Sequence, residues 1–285
     1  MSEPLVSIVI PCFNSGADLP ETLASIAAQT VGDVEVIVVD DGSTDPATLA
    51  LLGDLPEGVR LVHQENRGLA AARNAGMAAA TGRFLLPLDS DDQIEPVFLE
   101  RCLAALAAHP EAAFAFAGLK LIGEKRGVLP KSYNFFAQLV LNQLPYCLLM
   151  RRATWEASGG YDETMRMGYE DWEFNIRLGT KGLFGVAVPE PLFVYRVRKS
   201  GMLQSISRRR HAQLWAFIRA RHPAFYRPAA LLACRARWRD GLPYPAVLLL
   251  GLVAAHTVLP TRLFNALFAA LQRLSASSRA SKSAT

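Results

Sequence analysis

Three apolar runs in the first ninety residues each end abruptly on a polar cluster, and this repeated switch constrains the fold more than any other feature. Residues 5–11 (LVSIVIP) run into Cys12-Phe13-Asn14, residues 34–39 (VEVIVV) into Asp40-Asp41-Gly42-Ser43, and residues 84–88 (FLLPL) into Asp89-Ser90-Asp91-Asp92. Short, continuous, β-branched runs read as strands buried on both faces. Residues 59–63 and 113–119 read as two further strands. Helical patterns fall between them, over residues 18–28, 44–52, 69–80 and 96–108. Such alternation predicts an α/β fold: an open, mostly parallel, Rossmann-like sheet with helices on both faces. Ligands of open sheets bind beyond the carboxyl ends of the strands, where the three polar clusters would meet.

The acidic tetrad carries the chemistry. Carboxylates crowded at the end of a buried strand repel one another and lose solvation unless a cation shares them. Mg²⁺ or Mn²⁺ held on few carboxylates usually serves a phosphate-bearing substrate. The competing reading is a solvated acidic turn in which Asp92 caps the next helix. No Gly-x-Gly-x-x-Gly turn follows the first strand and no Walker loop appears, which argues against a hydride-transfer Rossmann enzyme and a P-loop NTPase.

Composition adds a compartment and a partner. Hydrophobic residues make up 51% of the 285, enough for a sizeable core. The four cysteines lie far apart with no zinc spacing, as expected of reduced thiols in a cytoplasmic protein. The N-terminus enters a strand-like run at once, with no leader-like segment, so export is not expected. The net charge of +4 hides a split. Residues 1–190 carry 14 Lys+Arg and 25 Asp+Glu, whereas residues 191–285 carry 16 and one, Asp240. Aromatic residues are interleaved with the arginines of residues 208–239, and two apolar helical stretches follow at 244–259 and 263–274. Neither reaches the ~20 residues needed to span a bilayer. The pattern fits a protein lying on an anionic membrane surface, or else a helical pair packed on the domain. An apolar hairpin does not suit nucleic acid. Residues 275–285 read as a flexible tail.

The series VSIVIPCFN, VIVVDDGSTD, NRGLAAARNAG, LDSDD and GYEDWEFNIRL, in this order, resembles the inverting glycosyltransferase family 2, nucleotide-sugar enzymes of the GT-A fold. The likeness covers about residues 5–200. It implies a GT-A domain over 1–200, with a nucleotide-binding half at 1–120 and an acceptor half at 121–200. The helical basic and apolar region at 201–274 would be an appendage. By resemblance, Pro11, Phe13 and Asn14 border the nucleobase and ribose, although many relatives carry Tyr in place of Phe13. Asp41 accepts a hydrogen bond from the base, and Asp40 supports the turn. Asn66, Gly68, Arg73 and Asn74 lie where relatives close over the nucleotide; Arg73 could instead pair with a carboxylate of the site. Asp89 and Asp91 form the Asp-x-Asp motif: Asp91 binds Mn²⁺ or Mg²⁺ directly, and Asp89 meets the ribose or a metal-bound water.

The remaining roles concern the reaction itself. Asp171 is the general base for the acceptor hydroxyl, with Glu170 and Trp172 as possible acceptor contacts and Trp172 as an apolar wall. Some relatives place a histidine after a Tyr-Arg pair as a further metal ligand. Here Tyr195-Arg196 is followed by Val197-Arg198-Lys199, and Arg198 or Lys199 would meet the pyrophosphate instead. The expected donor is a UDP-sugar. The expected acceptor is a saccharide carried on a lipid in cell-envelope polysaccharide assembly at the inner face of the bacterial membrane. Two other classes share parts of the pattern: a nucleotide-sugar-binding protein without turnover, and a metal-dependent nucleotidyltransferase.

Overall fold

The computed structural model of the protein describes residues 3–198 and 209–282, with side chains as far as Leu271. Val6–Cys12 (β1), Val34–Asp40 (β2), Val59–His63 (β3) and Phe84–Pro87 (β4) form a parallel block in the order β3-β2-β1-β4. Every residue of β1 is buried, as its unbroken apolar run requires. Leu19–Ala27 (α1) and Pro46–Gly53 (α2) cover one face through Leu19, Ile26 and Leu52, packed with Ile8, Ile10 and Val38. Leu69–Ala79 (α3) covers the other face, where Ala70, Ala72 and Met77 meet Val9, Ile37 and Val39. The alternation of β1 side chains between two cores is the period-2 consequence of a strand buried on both sides.

The second half of the sheet is mixed. The chain adds Gln93–Ile94 (β5), Phe98–Ala108 (α4), Phe114–Gly123 (β6), Gly127–Leu129 (β7), Phe135–Gln138 (α5), Leu149–Arg151 (β8), Arg152–Ser158 (α6), Glu170–Thr180 (α7) and Gly185–Val197 (β9). β8 inserts antiparallel between β4 and β6, and β6 continues the sheet in parallel with β9. Pro189 and Pro191 fall where the β6–β9 register slips, between Ala117 and Leu119, because proline cannot donate to a ladder. One sheet therefore crosses residue 120 without a break, and β7 pairs antiparallel with the end of β6.

A third core joins this sheet domain to the C-terminal helices: His211–Arg221 (α8), Pro228–Arg237 (α9), Ala246–Val258 (α10) and Thr261–Lys282 (α11). Trp172 of α7 stacks on Trp215 of α8 with ring centroids 6.1 Å apart. The indole Nε1 of Trp215 and the hydroxyl of Tyr226 both donate to the carbonyl of Leu139, at 3.1 and 2.7 Å. The helical region is thus packed on the domain. Its backbone stays helical to Lys282, through residues that read as a tail. Among the described residues no helix is long and apolar enough to cross a membrane.

The placement of α3 depends on Gly76. A Cβ there would lie 2.2 Å from Val9 Cγ1 and 2.8 Å from Val39 Cγ2, so the helix sits closer to the sheet than any other residue allows. Helix propensity alone predicts that Gly76→Ala stabilises by up to ~1 kcal/mol. Overpacking predicts the opposite sign, a loss of about 1–3 kcal/mol. Urea unfolding should show the loss; an unchanged or raised midpoint would mean that α3 does not sit this close.

Candidate active site

The registers bring the three polar clusters together. Cys12 lies opposite Asp40, and Val9 opposite Pro87, so the chain leaves β1, β2 and β4 side by side at one sheet edge. This is also where strand order reverses, between β1 and β4.

The β2 cluster is a scaffold of carboxylates and backbone amides. Asp40 accepts from Ser43 N at 2.9 Å and faces His63 Nδ1 at 3.1 Å, which holds the turn. Asp41, 3% exposed, accepts from Gln64 Nε2 at 2.6 Å, Arg67 N at 2.8 Å and Gly68 N at 2.8 Å. It therefore fixes the entry to α3, where Gly68 stands at φ 93°. Asn14 adopts φ 49° and its Oδ1 accepts from Thr44 N and Asp45 N at 2.8 and 2.9 Å, tying the β1 loop to the β2 loop. Phe13 beside it is 47% exposed, an aromatic face left open at the site edge. Pro11 is buried inside β1 and supports this loop from below.

At the centre lies Arg73 of α3, 1% exposed. Its Nη2 donates to Asp89 Oδ1 at 2.7 Å and its Nη1 to Glu170 Oε1 at 2.8 Å. The guanidinium also stands over the rings of Tyr146 and Tyr161, 4.7 and 5.4 Å from their centroids. Of the two roles open to Arg73 in the sequence, the structure shows the pairing with carboxylates; the side chain lies beneath the site surface. Asn74 is likewise engaged, bonded to the backbone of Tyr161 through both amide atoms, at 3.0 and 2.8 Å.

The tetrad divides its labour. Asp92 is 1% exposed and does not cap α4. Its Oδ2 accepts from Tyr146 Oη at 2.6 Å and its Oδ1 from Arg196 N at 2.7 Å. Burial, reinforced by Asp91 and Asp89, pushes its carboxyl well above the usual range. Tyr146 in turn accepts from Asp89 N at 2.9 Å, so one phenol links both ends of the motif. Asp91 Oδ2 accepts from Arg198 Nε at 3.0 Å, and Arg198 also pairs with Asp18. Burial and the charge of Asp89 raise the Asp91 carboxyl. Lys199 lies outside the described residues.

The helix α7 supplies the remaining carboxylates. Tyr169 enters it at φ 66° after Gly168 at φ 94°, a conformation costly for a bulky residue. Glu170 and Asp171 then occupy the first turn, where free backbone N–H groups favour negative charge. Asp171 Oδ2 accepts from Asn142 Nδ2 at 2.8 Å and stays half-buried. Trp172 corrects its sequence reading. It is 1% exposed, donates Nε1 to Gln138 O at 2.7 Å and stacks on His211 and Trp215. It anchors α7 to the helical layer and offers no wall to an acceptor, because successive helix positions point about 100° apart.

Two further contributors, Tyr146 and Asn142, carry no motif. The only sequence signal for Tyr146 is a polar handle inside the apolar stretch 144–150.

The donor set suits a divalent ion with phosphate. Among the described residues Asp89 Oδ2 and Asp91 Oδ1 receive no hydrogen bond, and no group of three or more His, Cys, Asp or Glu is placed to hold a metal by itself. Two carboxylates and an open coordination sphere match Mg²⁺ or Mn²⁺ completed by a diphosphate.

The sequence matches the profile of glycosyl transferase family 2 over residues 7–173, and the chain belongs to this family. It is 30% identical over 190 residues to a chondroitin synthase of Escherichia coli, an alignment covering 64% of this chain and 27% of that protein. The chain thus spans under a third of that relative. Among solved structures, S. aureus TarS 1-349 in complex with UDP-GlcNAc superposes with TM-score 0.61 at 20% identity, covering 75% of this chain and 65% of that one. Mannosyltransferase PcManGT from Pyrobaculum calidifontis in complex with GDP-Man and Mn²⁺ gives TM-score 0.60 at 23% identity, covering 95% and 81%. These likenesses establish the GT-A type of fold.

Glu170 yields a pH test. Burial pushes its carboxyl up to about 7, against the pull of Arg73 and with the help of Asp171. The shared guanidinium offsets only part of the burial because Asp89 claims it too. A group whose folded pKa exceeds its unfolded value stabilises fully below the unfolded pKa and loses that contribution as pH rises through the folded one. Wild-type stability should therefore carry a fall of up to about 3 kcal/mol between pH ~4.5 and 7 from this residue. Unfolding free energies of Glu170→Gln across that range should show a flatter slope; equal slopes would remove Glu170 as the cause.

Proposed function

We propose that the protein transfers a sugar from a nucleoside-diphosphate sugar to a hydroxyl of a saccharide acceptor, with inversion at the anomeric carbon. The observation that carries this reading is Asp171. It is a half-buried carboxylate at a helix start, oriented by Asn142 and next in the chain to Glu170, which Arg73 joins to Asp89. In one displacement the acceptor oxygen bonds to the anomeric carbon from one face while the bond to the diphosphate oxygen breaks on the other. The hydroxyl proton passes to Asp171. A single displacement of this geometry inverts the centre.

Asp91 and Asp89 would hold Mn²⁺ or Mg²⁺, which supplies charge neutralisation for the departing diphosphate. Phe13, Asn14 and the Asp41–Gly68 turn would form the nucleoside side of the cleft. With its oxygens engaged by Gln64, Arg67 and Gly68, Asp41 keeps room for one more donor, such as a base N–H. Arg198 would meet the pyrophosphate. The structural neighbours hold UDP-GlcNAc and GDP-Man, which supports a nucleotide-sugar donor, and a UDP-sugar is our first choice. The chondroitin synthase likeness supports a growing glycan as acceptor. The C-terminal excess of 16 cations over one acid supports a lipid-linked glycan, met at the cytoplasmic face of the cell membrane in envelope polysaccharide assembly.

Nucleotide release from a panel of UDP-, dTDP- and GDP-sugars with Mn²⁺ tests the reading. Asp171→Asn should cut turnover by about 10²-fold or more while donor affinity stays within twofold or so. Retained activity in that variant would refute the base assignment, and tight binding of every donor without release would make the protein a binder. Asp91→Ala should weaken donor binding in Mn²⁺ by about tenfold or more and leave metal-free binding unchanged, as read by calorimetry. Equal loss in both conditions would place Asp91 on the nucleotide itself.

A further inference from the structure

The C-terminal hairpin is apolar on both of its sides. Leu249, Leu252 and Val253 of α10 and Phe264 and Phe268 of α11 are buried in the third core. The opposite side of α10 presents Val247, Gly251, Ala254 and Val258 to solvent, at steps of four, three and four residues, which is one helix stripe. The opposite side of α11 presents Leu263, Ala266, Leu267 and Ala270, again one stripe. Val247 is 78% exposed, Val258 76% and Leu263 59%, the three most exposed large hydrophobic side chains among the described residues. A helix apolar all round belongs in an interior, yet half of this surface lies bare.

The charges around it choose the occupant. Residues 241–261 contain no Lys, Arg, Asp or Glu. Exposed Arg237 and Arg239 lead into α10, and exposed Arg262 stands at the turn between Val258 and Leu263. Exposed Arg209 and Arg210 adjoin α11, where Asn265 Nδ2 donates to Arg209 O at 3.2 Å. A second copy of this face would set these arginines against their own kind. An anionic bilayer meets both features, because acyl chains cover the stripes and lipid phosphates meet the guanidiniums.

We propose that the outer face of the α10–α11 hairpin docks in the interface of an anionic lipid bilayer, lying in the membrane plane. This deepens the reading of a membrane-borne acceptor and rests on it for its purpose, while the docking itself requires no turnover. The hairpin packs on α8 through Phe264 and Phe268 against His211, and His211 stacks on Trp172 of α7, so a docked hairpin would tie the helix that carries the proposed base to the lipid surface through α8.

The test uses the full chain, sedimented with vesicles of phosphatidylcholine alone or mixed with phosphatidylglycerol. Wild type should pellet with the mixed vesicles, bind the neutral ones weakly, and detach in part as salt rises. The double variant Val258→Glu, Leu263→Glu should lose about tenfold or more in partitioning. Val128→Glu, on exposed β7, should bind as wild type. Both variants should keep the wild-type thermal midpoint and UDP affinity, since none of the three side chains is buried. Wild type left in the supernatant, or a double variant that pellets equally well, overturns the proposal. So does a wild-type dimer in light scattering that the double variant dissolves, which would give the face to a second copy. Vesicle binding without any sugar transfer would instead strike the proposed function and leave the docking standing.

Discussion

One buried cation organises the site. Arg73 reaches from α3 to Asp89 on the β4 loop and to Glu170 on α7, three segments far apart in the chain. A guanidinium suits this position because its planar fork offers separate donors to two carboxylates and a face to Tyr146 and Tyr161. Burial works against its charge, yet Asp89 and Glu170 outweigh burial and raise its affinity for the proton. Gly76, one turn further along α3, permits the close helix–sheet approach that puts the guanidinium between its partners. Glu170, 5% exposed, would incur a desolvation cost of several kcal/mol if left alone at this depth.

The position of α7 follows from both of its ends. Its first turn is drawn to Arg73, and its far face is clamped by Trp172 on Gln138, His211 and Trp215. Glu173, one turn on, accepts from Arg177 at 2.7 Å and faces His222 Nε2 at 2.9 Å, which ties α7 to the segment after α8. The C-terminal helices are therefore part of what holds Asp171 in place. A helical region that looks like an appendage in the sequence is, in the fold, the wall behind the proposed base.

The parallel half of the sheet was legible because fully buried strands have no choice of composition. Val34 and Val59 open β2 and β3 as the apolar runs predict, and the polar clusters after β1, β2 and β4 meet where such sheets bind ligands. β5, β7 and β8 were not legible: two or three residues give no periodicity, and their pairing is set by partners distant in sequence. The motif residues of the site were legible as a set, but their contacts were not. Trp172 lies next to Asp171 in sequence and faces the opposite core. Arg73, which looks like a donor contact, spends its hydrogen bonds on Asp89 and Glu170. Tyr146 and Asn142 belong to no motif and are placed by the loops around β8, so only the folded chain reveals them.

Electrostatics concentrates negative charge at the site. Asp89, Asp91, Asp92, Glu170 and Asp171 converge on it, and among the described residues the guanidiniums that reach these carboxylates are those of Arg73 and Arg198. Burial and mutual repulsion raise Asp91, Asp92 and Glu170 together. Such a cluster gains free energy from any cation that enters, and a divalent ion bearing a diphosphate brings charge of both signs to the same place. Arg198 is 41% exposed and pairs with Asp18 and with Oδ2 of Asp91, which leaves Oδ1 clear of it. In the proposed reaction the same guanidinium would meet the diphosphate, so one arginine just beyond β9 would balance first the acidic pair and then the phosphates.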